Sequence, residues 1–193
     1  EKPQKDEKSK EEKPVDNREE IYKKEWIGNA EQRETLKTEN FKLADSIREV
    51  IQKLDTYYTR YVQKGSTGTF YPESENIAIQ SINDIDTVTH ELSHVVDIRN
   101  GVVRSKQDDP QIASELERAY YEIYPWASTE EKYQRRLHEG YAMIQEKYLM
   151  MPKTIRQKFP LLVETFVDNP HPMQKLLNEE MDRIVREYHG LSD

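Results

Sequence analysis

Residues 68–81, GTFYPESENIAIQS, alternate apolar and polar side chains about a turn-forming PESEN, and they carry the one convincing strand signal in the 193 residues. Phe70 precedes the turn, and Ile77 and Ile79 follow it, the pattern of a β-hairpin whose second strand lies near Asn76–Ser81. Elsewhere the apolar residues recur at the three- and four-residue steps of a helix. Phe41, Leu43, Ala44, Ile47, Val50, Ile51, Leu54 and Tyr58 make one buried helical face, which Gly65 and the STG after it bring to an end. The fold class expected is therefore α+β, predominantly helical, with a small sheet or hairpin ahead of a central helix.

Local signals place the remaining helices. Ile21, Tyr22 and Trp26 suit a short helix ending near Gly28. Asn83 or Asp84 caps a helix that stops at Asn100-Gly101. Asp108, Asp109 and Pro110 open the next, to about Tyr124, where Pro125 closes it. Ser128-Thr129-Glu130-Glu131 fits a capping box for a helix reaching Met150-Met151. Shorter helices are expected at Lys153–Lys158 and Leu161–Asp168, then an amphipathic one from His171 to about Tyr188. Residues 1–20 hold fourteen charges and a single aliphatic side chain, Val15, so they read as a disordered charged arm before one domain, 21–193.

Composition narrows the function. A net charge of −8 argues against nucleic acid as a partner, no apolar run is long enough for a transmembrane segment, and no feature specifies an oligomer. With no cysteine, thiol catalysis and cysteine-ligated zinc are excluded, while both cytosolic and exported locations stay open.

Within VTHELSHVVD (88–97), His90 and His94 stand four apart and project from one helix face, so both can hold one ion. Glu91 lies to one side of that pair, where it can take the proton of a zinc-bound water as general base. Ile85, Val88, Leu92, Val95 and Val96 form an apolar stripe that would pack the helix while the ligands face a cleft. Asp97 shares the histidine face and has two readings, orienting an imidazole or sitting solvated near the helix end. By itself HExxH arises by chance in roughly one chain in a hundred of this length, so a third ligand and a substrate strand are needed.

RRLHEGYAMIQEKYLMMP supplies candidates for the ligand. Glu139 follows His94 by 45 residues, and Gly140 beside it would permit close helix approach. Glu146, two turns on, is the competing carboxylate. His138 is turned about 100° from Glu139 and is set aside. Tyr124 and Trp126 suit either a cleft wall or the core, and His171 and His189 read as surface residues.

Taken in order, GTFYPESENIAIQS, THELSHVVD and HEGYAMIQEKY resemble the catalytic domain of anthrax lethal factor and its relatives, zincin-like metalloendopeptidases that include the clostridial proline-proline endopeptidases. The likeness spans roughly residues 40–170. It implies a zincin-like metallopeptidase domain with Zn2+ on His90, His94 and Glu139, Glu91 as catalytic base, and a protein or peptide substrate laid along the strand near 76–81. It also implies a tyrosine that stabilises the oxyanion. Tyr133 is the match, although the family spacing falls on Lys132. Leu92-Ser93 departs from the aromatic and glycine common in the family. The resulting expectation is a zinc endopeptidase, secreted or displayed on the surface of a Gram-positive bacterium. The alternatives are an intracellular HExxH peptidase that cleaves a regulatory protein and a non-catalytic interaction module.

Overall fold

Asp84 starts the central helix by accepting the Thr87 amide on its carboxylate, and Gly101, left-handed at φ 60°, ends it. This helix, α2 (Ile85–Asn100), is buried at every position from Val88 to Asp97. One flank, Ile85, Val88, Leu92, Val95 and Val96, packs into the main core as its spacing predicts. The other carries His90, Glu91, His94 and Asp97, polar groups that lie buried among neighbouring elements.

The computed structural model describes residues 16–20, 41–123 and 132–189. Around α2 stand α1 (Phe41–Lys53), α3 (Pro110–Ile123), α4 (Tyr133–Met150), α5 (Pro152–Lys158), α6 (Pro160–Leu162) leading into a π-helical turn (Val163–Asp168), and α7 (Pro172–His189). Three short strands, β1 (Tyr58–Thr59), β2 (Gly68–Tyr71) and β3 (Asn76–Ile79), complete an α+β architecture that is mostly helix. Among the described residues no helix is long and apolar enough to cross a membrane. The expected helix over Ile21–Trp26, the capping box at 128–131, and Tyr124 and Trp126 lie outside the described residues.

The hairpin forms where expected, Gly68 pairing with Ile79 and Tyr71 with Asn76 around a turn in which Glu75 is left-handed at φ 52°. Two corrections follow from the sheet. The helix expected to run from Phe41 through Tyr58 to the stop at Gly65 is shorter: α1 ends at Lys53, Asp55 turns the chain at φ 49°, and Tyr58–Thr59 pair in parallel with Ile77–Ala78. Tyr58 still packs against the core, which is why it fitted the helical period. The sheet order is therefore β1-β3-β2, so β3 is the central strand and not an edge. Its main chain is engaged on both sides, and the long open edge belongs to β2.

Residues 16–20, assigned by sequence to the charged arm, are docked. Arg18 is buried, donates to the Leu149 carbonyl and pairs with Asp16 and Asp182, and Glu19 accepts the Thr154 amide. Charge pairing orders a stretch that has too little apolar surface to order itself. The π-helical turn, expected as ordinary helix, coincides with a buried Gln145 amide that donates to the Phe166 carbonyl, an acceptor whose partner in a regular ladder would be Pro170, which has no N–H.

Helices α3 and α4 meet closely at Gly140. A Cβ there would lie under 3.0 Å from the backbone carbonyl of Leu116, an atom that cannot move without shifting α3. Gly140→Ala is accordingly expected to destabilise the fold by about 3 kcal/mol, read from chemical denaturation. An unchanged midpoint would show that the helices separate freely.

Candidate metal centre

Helix α2 holds His90 and His94 one turn apart, and their Nε2 atoms lie 3.2 Å from each other. Helix α4 delivers Glu139 to the same point, its Oε2 3.2 Å from His90 Nε2 and 3.5 Å from His94 Nε2. Metal–ligand bonds of about 2.0–2.1 Å at tetrahedral angles place neighbouring ligand atoms about 3.3–3.4 Å apart, so the three edges fit one small divalent ion. Among the described residues these three form the group of His, Asp and Glu side chains able to hold a metal ion.

The two candidate glutamates take different places. Glu146 Oε2 lies 3.0 Å from His90 Nδ1, on the far side of the ring from Glu139. That bond sets the tautomer, with Nδ1 carrying the proton and Nε2 presenting its lone pair to the triangle. Glu146 is itself paired with Lys147, whose ammonium stands 3.9 Å from Asp86. On the other histidine, the Phe70 ring stacks at 5.9 Å and 16°. Each imidazole is thus held by a group outside the triangle.

The electrostatics favour a cation. Burial would lower the pKa of His90, yet the carboxylates of Glu139 and Glu146 raise it well above the ordinary histidine value. Burial would likewise raise that of Glu139, but the two histidines hold it far below the carboxylate range. The attraction that draws a proton to this cluster also draws a metal ion.

Glu91 is 7% exposed and lies against β2, where a Cβ on Gly68 would come under 3.0 Å from Glu91 Oε1. Glycine is what lets the strand approach the carboxylate. Burial, the largest influence, raises the Glu91 pKa, and the nearby histidines only partly oppose it. A desolvated carboxylate with raised basicity beside a donor triangle is suited to taking and returning a proton.

A cleft of about 870 Å³ opens over these groups, with His90, Glu91 and His94 on its floor. β2 from Gly68 to Tyr71 makes one wall, and Gln134, Arg135, His138 and Glu139 of α4 make another. Lys132 and Tyr120 also line it. Tyr133 does not: the residue is 45% exposed, with the Arg136 guanidinium 5.5 Å from the centre of its ring.

His138, set aside on helical geometry, belongs to the site. Its Nδ1 donates to Asp97 Oδ2, and the other oxygen of that fully buried carboxylate accepts the Val103 amide at 2.8 Å. Asp97 therefore does orient an imidazole, but that of His138 rather than of either triangle histidine. The Asp97 bond raises the His138 pKa. A 100° turn from Glu139 did not remove His138 because the cleft wraps around α4. The available signal was an aspartate on the histidine face of a buried helix, which needed a cationic or donor partner.

Compared with protein-family models, with curated proteins and with solved structures, the chain gives no match.

Proposed function

From this site we propose that the protein is a zinc-dependent endopeptidase of the zincin type, of the lethal-factor-like class that its ordered motifs resemble. One observation carries the reading: a His-His-Glu donor triangle of near-tetrahedral edge lies in an open cleft beside a buried glutamate that takes no part in it. Zinc held by His90, His94 and Glu139 would acidify a water and polarise a peptide carbonyl. Glu91 takes one proton from the attacking water and delivers it to the amide nitrogen as the C–N bond breaks, and the second proton of that water passes to the freed amine, giving a carboxylate and an ammonium group. Glu146, braced by Lys147, keeps the His90 lone pair on the triangle. The extended peptide pairs with the open edge of β2, the strand that walls the cleft.

The test is zinc stoichiometry with peptide hydrolysis by the full chain. One zinc per chain, activity lost on chelation and restored by zinc, is the expected outcome. A protein that takes up zinc and cuts no peptide in a random library would overturn the reading in favour of an interaction module.

The oxyanion role proposed for Tyr133 requires its ring to swing from beneath Arg136 into the cleft when substrate binds. Tyr133→Phe should then lower kcat by about 10²-fold with zinc retained. An unchanged kcat returns the tyrosine to a packing role.

A further inference from the structure

Three elements run side by side around the cleft. Gly68 lies against Thr87 and Glu91, Phe70 against His94, and Glu75 in the turn pairs with Arg99, so β2 and its hairpin follow α2 in the same direction. Helix α4 runs the opposite way, with Lys147 beside Asp86, Glu139 at the two histidines and His138 at Asp97. Helix α2 is therefore a floor between two walls. A peptide paired with the open edge of β2 turns its other main-chain edge toward α4.

That wall carries two polar side chains with no task in the metal centre, His138 and Gln134. The two nitrogens of an imidazole face away from each other. Anchoring His138 Nδ1 on the fully buried Asp97, itself held by the Val103 amide, turns Nε2 toward the cleft. Gln134 is exposed and stands four residues earlier within α4, so it shares a side of the helix with His138. Among the described residues neither His138 Nε2 nor the Gln134 amide has a hydrogen-bond partner. Their spacing matches an extended chain. Four helical residues rise about 6 Å, and main-chain groups on one edge of a strand recur every two residues, at about 6.6–6.8 Å.

We propose that His138 Nε2 and the Gln134 amide form a second rail, hydrogen-bonding main-chain groups two residues apart on the peptide edge that β2 leaves open. The inference rests on the peptidase reading above and adds how that site holds its substrate: an extended peptide gripped by its backbone on both edges. His138 adjoins Glu139 and takes the position nearer the cut, and Gln134 takes the farther one. Asp97 is a positioning residue that acts through His138.

The test uses the full chain carrying Glu91→Gln, in the presence of zinc, so that binding is read without turnover. A blocked peptide selected on it from a random library is labelled and its affinity measured by fluorescence anisotropy. His138→Asn keeps an N–H donor for Asp97 and removes Nε2, and Gln134→Ala removes the amide from an exposed site. Each should weaken binding about three- to tenfold with zinc content unchanged. Replacing peptide amides one at a time by esters, which deletes one N–H and weakens one carbonyl, locates the contacts. Part of the ester penalty should vanish in His138→Asn near the cut, and in Gln134→Ala two residues farther along. Unchanged affinity in both variants, or ester penalties that neither variant alters, would overturn the rail. A loss in His138→Asn spread equally over all ester positions would mark a structural role and overturn it too, as would a chain that selects no peptide. Position-specific loss with no hydrolysis by the wild type would sustain the rail while the peptidase reading alone fails.

Discussion

Glu91→Gln is expected to keep one zinc per chain and to lose about 10³-fold or more in kcat. The amide has the shape of the carboxylate, so it fills the same space against Gly68 and leaves the His-His-Glu triangle undisturbed. What it cannot do is accept a proton from water, and positioned proton transfer contributes roughly 10²–10⁴-fold to such reactions. Stability is expected to move the other way. Burial raises the Glu91 pKa, so at neutral pH the folded protein holds a carboxylate that would be better solvated in the unfolded chain. Removing that charge should leave the midpoint of thermal unfolding unchanged or higher. Loss of activity with zinc and fold intact would separate a chemical role from a structural one. Activity within tenfold of wild type would sink the mechanism, whatever the metal content.

Glu139→Ala and Glu146→Ala should part company in zinc affinity, although both carboxylates touch His90. Apparent binding energies of about 10–16 kcal/mol for a four-ligand site amount to about 3–4 kcal/mol per ligand, or about 10²–10³-fold in affinity. Glu139→Ala should show that loss, because Oε2 is one corner of the triangle. Glu146→Ala removes only the group that orients His90 through Nδ1, and the expected loss is about 10–100-fold. It also strips the carboxylate from the largely buried Lys147, so the fold should weaken by about 3 kcal/mol in that variant. Glu146→Gln, which retains an acceptor for the imidazole N–H, should recover most of the zinc affinity. Competitive titration with a chelating dye reads all three. Zinc kept by Glu139→Ala and lost by Glu146→Ala would transfer the ligand role to Glu146.

Features confined to a single element were legible in the chain. Covalent geometry puts His90 and His94 on one face, Asp84 and Gly101 bound α2 by their own side-chain and backbone preferences, and the alternation about PESEN yields the hairpin. Gly140 was recognisable as a close approach because a glycine inside an amphipathic helix needs a packing reason. The third strand was not, since two residues carry no period and Tyr58 serves the core equally from helix or strand.

What depended on how separate elements meet was decided by the tertiary structure. Glu139 and Glu146 share a face of α4, and only the position of α4 against α2 sends one to Nε2 and the other to Nδ1 of His90. The same packing brings His138 to Asp97 across 41 residues and gathers Lys132 and Arg135 at the cleft. The order β1-β3-β2 likewise moved the open edge from β3 to β2. Spacing along one helix is set by bonds and dihedral angles and can be read from a string of letters. The distance between two helices is set by the summed packing of side chains drawn from the whole core, which no local stretch encodes.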